Sequence, residues 1–149
     1  KNYVVNILKQ ELHPITDKLI EEYSQLILWG RSKVFLYNDT LLFAKQIYDA
    51  INKKKPISVT VLDVHHLTSF ADLFIIAVAS NKKQTQAISD EIEDTLIRDN
   101  KYFRQKEGYD TASWILLDYE NIIVHILYKE DAEFYDLERL WQDAKKISF

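Results

Sequence analysis

The chain has 149 residues, a net charge of −4, 47% apolar residues and 28% charged residues. That composition supports one globular core with a small appendage and excludes a disordered polymer. It has no cysteine, which excludes a disulfide scaffold and a thiolate metal site, and only two glycines, Gly30 and Gly108, too few for a dinucleotide fingerprint or a Walker loop.

The charge is uneven. Residues 1–60 carry nine Lys/Arg and six Asp/Glu, whereas residues 61–149 carry ten and seventeen. An acidic module repels a phosphate backbone, so the sequence predicts no direct nucleic-acid readout. If it works beside RNA, docking on a basic protein is the expected route. No apolar run approaches the roughly 18 residues of a membrane span, and no membrane partner or signal peptide is expected. A start at Lys1 rather than methionine is expected of a processed protein or a piece of a longer one.

In chain order, Tyr3, Val4, Ile7 and Leu8 recur at helical spacing before Pro14 breaks the pattern. Ile15, Leu19, Tyr23, Leu26 and Ile27 then form the stripe of a second helix, which Gly30 stops. Residues 1–38 thus read as a helical extension preceding a domain over residues 39–149. In a third helix, capped by Asn38, Asp39 or Thr40, Ala44, Ile47, Tyr48 and Ile51 share one face. It ends in Lys53-Lys54-Lys55-Pro56, where cations complement the helix dipole and proline prevents continuation. The lysine run reads as a solvated helix end rather than an RNA contact.

Ile57 to Val64 is β-branched and reads as a strand. Residues 71–79 are almost continuously apolar, the pattern of a central strand covered on both faces. Asn81 followed by Gln84 is a capping-box signature for a helix to about Arg98, with Ile88, Ile92 and Leu96 inward. Trp114–Leu117 and Ile122–Leu127 are two more strands joined by a hairpin turn at residues 118–121. A last helix from about Asp131 places Phe134, Leu137, Trp141 and Ala144 on one face, as core. The order after residue 39 is α-β-β-α-β-β-α, which predicts an α/β (α+β) fold, a mixed sheet with packed helices.

Chemistry-bearing residues are sparse. His65 and His66 are adjacent and point to opposite sides of an extended chain, so with His125 they do not form a metal site. Asp118 and Glu120, two apart, could hold a metal on one strand face; the competing reading is a hairpin turn whose Asp bonds its own backbone. Ser69, Ser80 and Ser113 lack a nucleophile elbow. No reaction class, cofactor or metal is assigned. What remains is aromatic: Trp114 at a strand start and Tyr119 at a turn are expected to be exposed interface anchors.

Val61-Leu-Asp-Val, Ala71-Asp-Leu-Phe-Ile-Ile-Ala, Gln84-Thr-Gln-Ala-Ile-Ser-Asp90, Glu107-Gly108, Trp114-Ile-Leu-Leu-Asp-Tyr119, Ile123-Val-His125 and Phe134-Tyr-Asp-Leu-Glu-Arg-Leu-Trp141 occur in one collinear run. Together they resemble the Iojap family of ribosomal silencing factors, over about residues 40–143. The resemblance implies a nucleotidyltransferase-like α/β shape without enzymatic activity. It implies binding to the large ribosomal subunit through its ribosomal protein fourteen, a block on joining of the small subunit, and so repression of translation. For organelle members it implies a role in large-subunit assembly. The expected location is the bacterial cytoplasm, with a mitochondrial or plastid matrix as the alternative, and a homodimer is an option for the free protein. Partner contact is expected at Trp114, Leu117, Asp118, Tyr119 and His125. A metal-dependent nucleotidyltransferase using Asp118 and Glu120 is the alternative function. Where family members usually carry glycine, in the loop before the tryptophan and in the following hairpin, this chain has Ala112 and Glu120.

Overall fold

The structure, a computed structural model, describes residues 37–149. The two helices expected within residues 1–36 lie outside the described residues. Helix α1 (37–52) buries Ala44, Ile47, Ala50 and Ile51, the stripe its spacing predicts. It is already helical at residue 37, so Asn38, Asp39 and Thr40 are not its cap. Tyr37 and Asn38 therefore continue into the same helix as residue 39.

Strands β1 (Ser58–Asp63) and β2 (Leu73–Ala79) follow, then helix α2 (Lys82–Ile97). Strands β3 (Gln105–Glu107), β4 (Trp114–Asp118) and β5 (Ile122–Tyr128) form a meander. Two short helices, α3 (Lys129–Tyr135) and α4 (Leu137–Leu140), precede β6 (Lys145–Ile147). The six strands make one mixed sheet in the order β3-β4-β5-β2-β1-β6. Only β2 and β5 run parallel; the other neighbours are antiparallel. These two strands lie at the sheet centre and are buried almost throughout, as their continuous apolar runs predict.

The sheet has two unlike faces. Val61, Leu73, Ile75, Ala77, Ile115, Leu117, Val124 and Ile126 pack under α1 and α2, where Ile88, Ile92 and Leu96 point inward. Leu62, Phe74, Ile76, Trp114, Leu116, Ile123 and Leu127 pack on the other side. Among the described residues they are covered there by α3, by α4 and the Trp141 that follows it, and by residues 64–71, through Leu67, Phe70, Ala71, Tyr135, Leu137 and Trp141.

The C-terminal helix departs from its sequence reading. A continuous helix through Phe134 and Trp141 is interrupted at Asp136, which takes a left-handed conformation at φ 46°. The interruption changes the phase of the apolar stripe. Leu137 and Trp141 are buried, whereas Phe134, expected in the core, is 80% exposed. The short strands β3 and β6 also have no counterpart in the sequence reading, because three residues carry too little periodicity to register.

Two of the turns explain an oddity of composition. Ala112 and Glu120, the positions where the family resemblance leads one to expect glycine, have φ of 61° and 73°. Glycine populates that region freely, and a residue with a side chain pays for it in strain. Gly108, at φ 79°, could not be replaced so: a Cβ there would sit 2.0 Å from the Trp114 carbonyl oxygen.

Candidate partner-binding face

Strand alternation sorts the expected contact residues. Trp114, Leu116 and Asp118 of β4 face one way, and Ile115 and Leu117 the other. On β5, His125 shares the face of Trp114. Their side chains meet: the indole N–H donates to His125 Nδ1 at 3.1 Å. Nδ1 as acceptor puts the proton of the neutral ring on Nε2. Burial, with no compensating charge, pushes the His125 pKa down to about 3, so the ring is neutral at physiological pH. Its Nε2 is buried without a hydrogen-bond partner among the described residues, as is Trp141 Nε1. The ring of Phe74 stands edge-on to both, with centroids 5.0 Å from each. Tyr135 of α3 covers Trp114 at 4.8 Å. The result is an aromatic layer of Trp114, His125, Phe74, Trp141 and Tyr135, with Phe134 projecting from its rim against Tyr135.

Asp118 lies at the end of this face. Its Oδ2 accepts from Arg104 Nη2 at 2.9 Å, and its Oδ1 accepts from the Glu120 backbone N–H at 2.7 Å. The second bond is the local turn contact that an Asp in a hairpin is expected to make. The Tyr119 N–H donates to the Ile122 carbonyl and closes the hairpin. Both Asp118 oxygens are thus engaged, Oδ1 in holding the β4–β5 turn and Oδ2 in pairing with Arg104 at the entry to β3. Among the described residues no group of three or more His, Asp or Glu is arranged to hold a metal ion.

The expectation that Trp114 and Tyr119 are exposed is corrected here. They are 5% and 6% exposed. Trp114 is roofed by α3, which the sequence reading started two residues later. Tyr119 folds back onto the opposite face, edge-on to Phe43 of α1 at 5.6 Å, and burial pushes its pKa above the ordinary tyrosine value. Leu117 is fully buried on that same face. The five expected contact residues therefore divide: Trp114, Asp118 and His125 lie on the aromatic face, Leu117 and Tyr119 under the long helices. Arg104 was not singled out by the sequence, and Phe134, which is exposed, was assigned to the core. Period-two alternation along residues 114–118 was the signal that separates the two sets.

A second polar cluster closes the far end of β1. Tyr37 Oη donates to Asp63 at 2.6 Å, and His65 Nδ1 bonds the same carboxylate. Burial opposes ionisation of Asp63, but the hydrogen bonds from Tyr37 and His65 outweigh it and hold its pKa below the usual carboxylate value. This cluster ties the start of α1 to the sheet.

The architecture has close relatives. The family described as "Ribosomal silencing factor during starvation" matches residues 38–149. The ribosomal silencing factor of Bacillus subtilis is 35% identical over 95 residues, covering 64% of this chain and 80% of that protein. That of Halalkalibacterium halodurans is 32% identical over 99 residues, 66% of this chain and 85% of that one. The chloroplastic Iojap protein of Zea mays is 32% identical over 111 residues, 73% of this chain and 47% of its own length. A solved structure from Chromobacterium violaceum superposes with a TM-score of 0.67 at 26% identity, covering 73% of this chain and 90% of that one. The match spans every described strand and helix but Tyr37 at the start of α1, and by it the chain belongs to the ribosomal silencing factor family.

Proposed function

We propose that this chain binds the large ribosomal subunit through ribosomal protein fourteen of that subunit, blocks joining of the small subunit, and so represses translation. In an organelle the same contact serves large-subunit assembly. The observation that supports this reading is the collinear family match over residues 38–149, which includes the whole aromatic face and its hairpin. The protein acts as a binding module rather than an enzyme, in the bacterial cytoplasm or in a plastid or mitochondrial matrix. Family relatives come from bacteria and from chloroplasts, and no helix of the described residues is long and apolar enough to cross a membrane.

The division of the expected contact residues assigns them different parts. Trp114, Asp118 and His125 shape the docking face from beneath, and Phe134 and Arg104 supply its exposed rim. Leu117 and Tyr119 hold the hairpin from the other side. The segment preceding α1 docks on the domain or on a second copy of the chain, the latter giving a homodimer when the ribosome is absent. The excess of acidic residues over positions 61–149 steers the domain toward a basic protein, so association slows as salt rises.

The test is co-sedimentation with purified large subunits, followed by binding to isolated ribosomal protein fourteen and to naked large-subunit RNA. Binding to the isolated protein is expected. Binding to the RNA with none to the protein would falsify the proposed contact.

A further inference from the structure

The five lysines at positions 53, 54, 55, 82 and 83 are separated by 26 residues of chain, yet the fold joins them. The joint is Gln84. Its Nε2 donates to the carbonyls of Lys54 and Lys55 at 2.8 and 2.9 Å. Its backbone N–H is capped by Asn81 Oδ1 at 2.8 Å, and its Oε1 accepts from the Ser80 N–H at 2.7 Å and the Ser80 hydroxyl at 2.8 Å. One amide side chain therefore fixes the end of α1 against the first turn of α2. Lys82 and Lys83 open that turn.

All five lysines are exposed. Only Lys53 has a carboxylate within ion-pair distance among the described residues, Glu91 at 3.6 Å. The N-terminus of α2, with no acidic residue in its first turn, adds the positive end of a 16-residue helix to the same spot. The rest of the domain is strongly acidic, so charge is segregated: a basic corner on an acidic body. Such a corner is poorly suited to a protein interface, whose core is depleted in lysine. Lysines that make backbone phosphate contacts, by contrast, need no groove and no aromatic neighbour.

We infer that Lys53, Lys54, Lys55, Lys82 and Lys83 form a contact for the phosphate backbone of RNA, without base readout. The choice of RNA among polyanions rests on the ribosomal reading above; the charge geometry does not. The contact is separate from the aromatic face, because the lysines lie beyond the α1/α2 side of the sheet. It orients the domain: the acidic body meets a basic protein while the basic corner meets neighbouring RNA.

The experiment measures fluorescence anisotropy of a labelled RNA duplex titrated with the full chain over a range of salt. Lys54→Gln/Lys55→Gln/Lys82→Gln/Lys83→Gln is compared with the same four positions changed to Arg. Wild type is expected to bind at low salt, and the Gln variant to bind about tenfold or more weakly. The slope of log affinity against log salt should shrink by about one per lysine removed. The Arg variant should restore both. Equal RNA binding by wild type and the Gln variant overturns the inference. So does wild-type binding to vesicles of anionic lipid but not to the duplex. Binding of the Gln variant to isolated ribosomal protein fourteen is measured in parallel and is expected to be unchanged, which also shows that the variant is folded. If wild type binds the duplex but not that protein, the proposed function fails while the phosphate contact stands.

Discussion

The two faces of the sheet are built from different chemistry. Beneath α1 and α2 the layer is almost wholly aliphatic, with Ile, Leu, Val and Ala from six elements and no buried ring nitrogen among the described residues. Across the sheet the layer is aromatic, carries the Trp114–His125 hydrogen bond, and leaves two ring nitrogens buried without a partner among the described residues. Aliphatic packing is cheap to specify and tolerant of repacking. Buried polar groups are costly unless satisfied and fix one geometry when they are. The comparison assigns stability to the first face and shape to the second.

Paired truncations test that assignment most strongly. Trp114→Ala removes the large ring and leaves His125 Nδ1 without its donor, so a loss of about 3–5 kcal/mol is expected. Leu117→Ala, on the aliphatic face of the same strand, is expected to cost about 2–5 kcal/mol through a cavity alone. Urea unfolding measures both. The sharper readout is binding to the large subunit at a temperature where both variants are folded. Trp114→Ala should lose affinity and Leu117→Ala should keep it; equal losses would erase the distinction between the faces.

Acid should strike the aromatic face selectively. His125 has a folded pKa of about 3 against an ordinary value of 6.5. The unfolded chain therefore binds the extra proton first, and its contribution to stability is lost as pH falls from about 6.5 toward 3. The slope is at most about 1.4 kcal/mol per pH unit. Asp63, whose folded pKa is also lowered, adds to the loss below its ordinary value of 3.8. Between pH 7 and pH 4.5 His66, whose pKa is also lowered by burial and by the neighbouring His65, adds to the slope in the same direction, so the His125 share is read as the difference in denaturation between wild type and a variant. His125→Gln, which keeps an acceptor for Trp114, should flatten the profile over that range. A slope as steep in the variant as in wild type would place the acid sensitivity elsewhere.

The hairpin that carries both faces is strained at Glu120, which is exposed and sits at φ 73°. Its backbone N–H bonds Asp118 and needs no particular side chain. Glu120→Gly should stabilise the protein by about 1 kcal/mol. Thermal unfolding measures the gain. A loss would mean that the Glu120 side chain holds a contact worth more than the strain.

Much of this was legible in the sequence, for physical reasons that vary by element. The central strands were readable because burial on both sides writes a continuous apolar run, and α2 because Asn81 and Gln84 announce its start. The alternation along β4 is also present, but a strand start and a turn ordinarily expose their side chains, which is why Trp114 and Tyr119 are expected at the surface. Burial of Trp114 depends on Tyr135 of α3 packing over the indole, a contact between elements that spacing along the chain does not record. Placement of Phe134 depends on a left-handed Asp136, a conformation that Asp tolerates but does not announce. Lys53–Lys55 read as a solvated helix end; that they meet Lys82 and Lys83 was not legible, because 26 residues separate the two groups and the hydrogen bonds of a single glutamine bring them together.

The smallest effect on stability is expected at Phe134, and it discriminates best. The ring is 80% exposed and meets the aromatic layer at Tyr135. Truncating it removes little buried area, so Phe134→Ala should change stability by no more than about 0.5 kcal/mol. A large apolar ring held at the rim of a rigid face is, however, the kind of side chain that anchors an interface, and truncating such an anchor costs about 2 kcal/mol of binding. That corresponds to roughly a thirtyfold loss of affinity for the large subunit. Trp114→Ala cannot separate a shaped surface from a collapsed one, because it damages both. Phe134→Ala leaves the Trp114–His125 pair and the hairpin intact and removes only what projects from them. Unchanged unfolding with weakened co-sedimentation places the docking surface on the aromatic face; unchanged unfolding with unchanged binding moves it away from α3.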